Sequence, residues 1–131
     1  MSLSDRVEKA KSIVRYGLYH ILQRDSKGIV RVIVVPGSEG KQYHIILRRE
    51  GSAMSAECRL SVSNGEIDCE GAMNGICYHA IVAVEVAAKE KQLHLAWTKC
   101  EEDATRRSHL GGHKYRVISR QSGKSLWAVA E

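Results

Sequence analysis

The stretch Ala56-Glu57-Cys58-Arg59-Leu60-Ser61-Val62-Ser63-Asn64-Gly65-Glu66-Ile67-Asp68-Cys69-Glu70-Gly71 decides how this chain folds. Asn64-Gly65 is the pair preferred in a two-residue type I′ turn, where both central residues take positive φ. Polar and apolar residues alternate on either side, so the stretch reads as two antiparallel strands, Ala56 to Val62 and Glu66 to Gly71. A turn at Asn64-Gly65 pairs Ser63 with Glu66 and sets Val62 opposite Ile67, Leu60 opposite Cys69 and Cys58 opposite Gly71, on one face. The other face carries Glu57, Arg59, Ser61, Glu66, Asp68 and Glu70, with Arg59 opposite Glu70. One apolar, thiol-bearing face and one charged face describe a half-buried hairpin.

Downstream, Ala72 to Ile76 reads as a short loop. Cys77 to about Gln92 follows, rich in alanine, with Ile81, Val84 and Ala88 at helical spacing, and predicts a mostly buried helix. Cys69, Cys77 and His79 thus come from a strand end, a loop and the first turn of a helix, a usual way to gather soft ligands around zinc. Three ligands do not close a structural site. The hairpin supplies a fourth, because Cys58 lies diagonal to Cys69 on the same face, with Cβ atoms roughly 5 to 8 Å apart. Side-chain rotation then allows a Cys3His tetrahedron, with about 2.3 Å to sulfur and about 2.0 to 2.1 Å to nitrogen. The competing readings are buried free thiols beside an ordinary histidine, and a Cys58–Cys69 disulfide, for which a diagonal pair is poorly placed.

The segment from Cys69 through Cys77 and His79 into the apolar helix resembles the SWIM zinc finger, whose pattern is Cys-x-Cys, a variable loop, Cys-x-His and a helix. Strands before the first cysteine fit that pattern as well. The resemblance covers about 42–92 and implies a structural zinc ion and a role in DNA binding or protein interaction. Cys69, Cys77 and His79 are carried over by motif, whereas Cys58 comes from geometry, since Gly71 stands where the second cysteine of Cys-x-Cys belongs.

Upstream, Asp5 with Glu8 makes a capping box for a helix from about Asp5 to Tyr16, ended at Gly17. Strands are expected over Leu18 to Leu22, Ile29 to Val35 and Gln42 to Arg49, separated by the turn compositions Asp25-Ser26-Lys27-Gly28 and Pro36-Gly37-Ser38-Glu39-Gly40. Beyond the buried helix, 98–108 predicts a short helix closed by Gly111-Gly112. Tyr115 to Arg120 and Leu126 to Ala130 then form a final hairpin through Gln121-Ser122-Gly123-Lys124. The fold class is α+β: an antiparallel meander with a zinc-bearing hairpin, packed against a mostly buried helix, plus a C-terminal hairpin. With no repeat or linker, the 131 residues read as a single domain with a basic C-terminal extension over about 98–131.

Composition narrows the function. At 44% hydrophobic and 27% charged residues the chain has the make-up of a folding protein, but with no Phe its core must be built from smaller side chains that a metal staple would help hold. The longest apolar runs are too short to span a bilayer, and no secretory run opens the sequence, so a cytosolic location is expected and with it thiolate chemistry. The net charge is +5. From Ala104 to Ala130 six basic side chains, Arg106, Arg107, Lys114, Arg116, Arg120 and Lys124, occur without an acidic one, which suits nucleic-acid phosphates, with Tyr115 and Trp127 available to stack on bases. A solvated charged hairpin is the plainer account of the same residues, and a protein partner is the other class of reading. Cys100, His109 and His113 make a poor second metal site because Gly111 and Gly112 interrupt the helix that would align them. His20, His44 and His94 have no partners at ligand spacing. No phosphate-binding loop, dinucleotide fingerprint or serine elbow is present, and a thiolate bound to a four-ligand zinc is quenched, so neither an enzyme nor a small-molecule substrate is expected.

Overall fold

The computed structural model describes residues 1–26 and 30–131. Lys27, Gly28 and Ile29, assigned from sequence to a turn and the start of a strand, lie outside the described residues.

Helix α1 (Leu3–Arg15) begins two residues earlier than expected. Ser2 rather than Asp5 is its cap, because the Ser2 hydroxyl accepts from the Asp5 N–H at 3.1 Å while the Asp5 side chain accepts from the Ser2 N–H, a complete capping box. Strands β1 (His20–Arg24), β2 (Val30–Pro36) and β3 (Gln42–Glu50) make the expected antiparallel meander, with a short 3-10 turn at Ser38–Gly40. Strand β4 (Ala53–Val62) continues it and turns back as β5 (Gly65–Asp68). A one-turn helix α2 (Glu70–Met73) and the long helix α3 (Tyr78–Glu90) follow. Strand β6 (Leu95–Thr98), which the sequence pattern did not reveal, precedes α4 (Glu101–Ser108) and the final hairpin of β7 (Lys114–Ser119) and β8 (Ser125–Ala130).

The strands form one mixed eight-stranded sheet in the order β1-β2-β3-β4-β7-β8-β6, with β5 beside β4. The C-terminal hairpin therefore joins the same sheet as the meander. Strand β7 runs parallel to β4, Ala53 to Ala56 facing Arg116 to Ser119, and makes the second half of the same sheet. One edge of β4 is thus divided, its first half held by β7 and its last, Arg59 to Val62, by β5. Helices α1 and α3 cover one face, burying Ile33, Ile45, Leu47, Ala56, Val117 and Ala128 with Ile81, Val82 and Val86. Helix α4 packs on β6 and β8 with its buried Ala104. Among the described residues, no helix is long and apolar enough to cross a membrane.

The hairpin register corrects the sequence expectation. Val62 pairs with Gly65, Ser61 with Glu66, Leu60 with Ile67 and Arg59 with Asp68, so the turn residues are Ser63 and Asn64 and each partner lies two residues from its expected place. A type I′ turn needs positive φ at both central residues. Only Gly65 of the Asn64-Gly65 pair supplies it, at 133°. A slip of two residues leaves every side chain on its original face. Arg59 consequently pairs with Asp68 instead of Glu70, and Cys58 comes level with Cys69 instead of Gly71.

Candidate metal centre

Cys58, Cys69, Cys77 and His79 converge in one buried cluster, with their ligand atoms all within 4.8 Å of one another. Among the described residues this is the one grouping of three or more Cys, His, Asp or Glu side chains able to hold a metal ion. Cys58 points inward from β4 between Ala56 and Leu60. Cys69 follows β5 as the cap residue of α2, and its N–H donates to the Cys58 carbonyl at 3.2 Å, so the two cysteines are directly opposed. Cys77 caps α3 and His79 lies in that helix's first turn. All four side chains are buried.

The spacing and the donor chemistry both fit a metal ion. His79 Nδ1 stands 3.7 Å from Cys69 Sγ, too long for a strong hydrogen bond. It matches the separation of about 3.6 Å that two ligands keep across a tetrahedral ion with ordinary zinc–sulfur and zinc–nitrogen bond lengths. Without a cation the three thiols must share protons. Hydrogen bonds from Cys58 and Cys77 hold Cys69 well below the usual thiol range. Hydrogen bonds to Cys69 and Cys77, with burial, push Cys58 up. A bond with Cys58 lowers Cys77, but its bond with Cys69 and its burial prevail and leave it raised to about 12. One thiolate held by two thiols is an arrangement that a divalent cation would convert to three thiolates. The N-terminus of α3 at Cys77, with the Ala80 N–H on its sulfur, favours negative charge there.

His79 is fixed by stacking. The Tyr43 ring lies parallel to it at 3.8 Å and Tyr78 packs at 4.0 Å, while Lys9 of α1 sits over the far ring at 4.3 Å. With Nδ1 turned to the thiols, Nε2 is enclosed between aromatic rings and has no hydrogen-bond partner among the described residues.

Gly71 shows why the Cys-x-Cys spacing is absent. A Cβ there would stand 3.0 Å from the Cys77 Cβ, so the backbone after Cys69 already passes close against Cys77 and any side chain at this position would crowd it. Cys58 reaches the cluster from across the sheet instead.

The sequence reading missed the support of the site. At the fork where β4 changes partner, the Gln121 carboxamide fills the gap. Its Nε2 donates to the Cys58 carbonyl at 2.5 Å and its Oε1 accepts from the Cys58 N–H at 3.4 Å. The loop from Cys69 to Cys77 is clamped through its carbonyls. Ser119 donates to Ala72, Ser122 to Gly75, Lys124 to Asn74 and Arg6 to Ile76. Three of these four donors come from the C-terminal hairpin, far from the ligands in sequence. An inward-facing Ser119 in line with Val117 was the available signal, since a buried hydroxyl needs a partner.

Of the six basic residues proposed for phosphates, five already have partners. Lys114 bonds Thr105 at 2.7 Å and lies 3.7 Å from Glu101, with its ammonium over Trp127. Arg107 faces Glu131 at 3.9 Å, and Arg120 faces Glu50 and Glu57. Arg116 bonds Ser125, and Lys124 serves the metal loop. Arg106, on α4, has no such partner among the described residues. Cys100 caps α4 and is exposed, and it does not group with His109 and His113. His44 faces Glu66 at 3.0 Å.

A scan against protein-family models, a search of curated proteins and a search of solved structures each found no match. Fold and site together define an α+β protein with a candidate three-cysteine, one-histidine metal centre.

Proposed function

We propose that this chain is a SWIM-like zinc module whose ion is structural, and that it serves as a binding protein and not as an enzyme. The observation that carries this reading is the buried cluster of Cys58, Cys69, Cys77 and His79, which offers four soft donors and leaves no position open to water. Zinc ties β4 and β5 to the start of α3. It thereby fixes a core whose largest fully buried side chains are Ile and Val. Elemental analysis of purified protein tests it: one zinc per chain in the wild type, weakened or lost in Cys58→Ser, and loosened or lost structure on chelation. Metal-free protein from a chelator-free preparation would overturn the zinc reading.

Nucleic acid is the partner we propose, contacted through phosphates by Arg106 with Arg107, Arg116 and Arg120. The competing ion pairs of Arg107 and Arg120 are long, at 3.9 to 4.0 Å, and exposed pairs of that kind contribute at most about 1 kcal/mol, so a phosphate displaces them readily. Binding should weaken steeply with salt and change little with sequence. A protein partner is the second reading. It is favoured by Val62 and Ile67, half exposed on one face at the tip of the hairpin. Capture of a protein that survives nuclease treatment, lost in Ile67→Ser and insensitive to salt, would replace the nucleic-acid reading.

A further inference from the structure

At the end of α3 remote from the metal ligands, a groove of about 900 Å³ opens between the helix and the near ends of β2, β3, β4 and β7. Its floor is apolar, formed by Leu47, Met54, Val84, Ala88 and Leu95. Its rim carries four cations, of which Arg48 is paired with Glu57 at 2.8 Å and Arg31, Arg49 and Lys91 are left.

The two arginines break the pattern of the sheet. Side chains alternate along a strand, so Arg31 shares the inward face of β2 with the fully buried Ile33. Arg49, opposite Met54, likewise shares the inward face of β3 with Ile45 and Leu47. Inward positions elsewhere on these strands are filled by apolar or aromatic side chains. Here two neighbouring strands end in guanidinium groups, and Lys91 adds an ammonium from the end of α3.

Nothing among the described residues neutralises them. None of the three cations has an ion pair there. Of the two carboxylates on the rim, Glu90 is held by Arg24 at 2.6 Å, and Asp25 already has an interaction of its own. The carbonyls ending α3 are also engaged: Ala88 accepts from the N–H groups of Lys91 and Leu93, and Lys89 from that of Gln92. Three like charges around an apolar hollow repel one another until an anion enters, and the volume lies in the range of small-molecule sites.

We propose that this groove binds an anionic amphiphile, a small molecule whose carboxylate or phosphate head is held by Arg31, Arg49 and Lys91 and whose alkyl or aryl body lies on the apolar floor. The site goes beyond the zinc reading and is independent of it. Lys91 lies 14 residues along the chain from Cys77, which in a helix is about 20 Å. The sequence pattern gave no sign of it, because Arg31, Arg49 and Lys91 are far apart in the chain.

The test uses the whole 131-residue chain with four probes: decanoate, decyl phosphate, decanol and inorganic phosphate. Calorimetric titration is combined with amide chemical shifts. At least one of decanoate and decyl phosphate should bind at least about tenfold more tightly than decanol, as one charge-assisted contact gives. Shifts should centre on Leu47, Val84 and Ala88. In the double variant Arg31→Ser/Arg49→Ser that preference should vanish while decanol binding is kept. Both arginines are exposed, and an unchanged amide spectrum elsewhere verifies the fold. A stronger response to only one of the two charged probes identifies the head group. The proposal is overturned if decanol matches both charged probes, if the double variant keeps the preference for a charged probe, or if inorganic phosphate alone binds as tightly as decyl phosphate.

Discussion

Replacing Gln121 with leucine should weaken the metal centre without touching a ligand. In a strand, a residue's N–H and C=O point toward the same edge. Both Cys58 backbone groups therefore face the fork between β5 and β7, where Gln121 meets them. The Cys58 carbonyl keeps a second donor in the Cys69 N–H, but the Cys58 N–H loses its acceptor. The lost bond costs about 1 kcal/mol and an orphaned buried donor about 1 to 3 kcal/mol, so a destabilisation of about 2 to 4 kcal/mol is expected. Because Cys58 is then free to shift, zinc affinity should fall about 10- to 100-fold, the usual effect of removing a group that orients a metal ligand. Competition with a chromophoric chelator measures the affinity and urea unfolding the stability. Gln121→Glu is the matched control. It keeps the shape but turns an oxygen toward the Cys58 carbonyl and Asp68, and should behave like the leucine variant near neutral pH. Zinc affinity within twofold of wild type and an unchanged unfolding midpoint in Gln121→Leu would refute the claim that the fork positions Cys58.

Gly71→Ala should lower zinc affinity with little effect elsewhere, because its Cβ meets that of Cys77 at 3.0 Å; chelator competition reads the loss, and wild-type affinity would mean that α2 moves aside freely. Metal affinity should rise with pH: Cys58 and Cys77 are raised, so both hold protons near neutrality, whereas Cys69 is lowered and already a thiolate. Two displaced protons correspond to about 100-fold tighter binding per pH unit from about pH 7 to about pH 9, and proton release measured in weakly buffered solution checks the count. Ser55→Ala should be neutral or stabilise by up to about 1 kcal/mol, since the Ser55 hydroxyl is buried without a partner among the described residues; a clear loss in urea midpoint would reveal a bond that the structure does not show.

Much of the fold was legible because its signals are local. The alternation around Asn64-Gly65, the alanine-rich run after Cys77 and the turn residues at Pro36-Gly37 each report on neighbours a few residues away. Boundaries moved where a cap decided them, as at Ser2. Strand β6 was missed because four residues, Leu95 to Thr98, are too few to show a period. Cys58 was placed in the cluster from a register that was wrong by two residues. It survived because a shift of two preserves the face, and the true register brings Cys58 closer to Cys69 than the assumed one.

The sequence by itself determined the donor set, the faces of the strands and the buried helix, since each follows from side-chain type and a period of two or of 3.6 residues. Only the tertiary structure decided that β7 lies beside β4, that Gln121 holds Cys58 while Ser119 and Ser122 hold the loop from Cys69 to Cys77, and that most of the basic side chains near the C-terminus already have partners. The physical reason is range: a parallel pairing between strands some sixty residues apart leaves no periodic trace in the chain, and a hydrogen bond from Gln121 to Cys58 exists only once that pairing has formed.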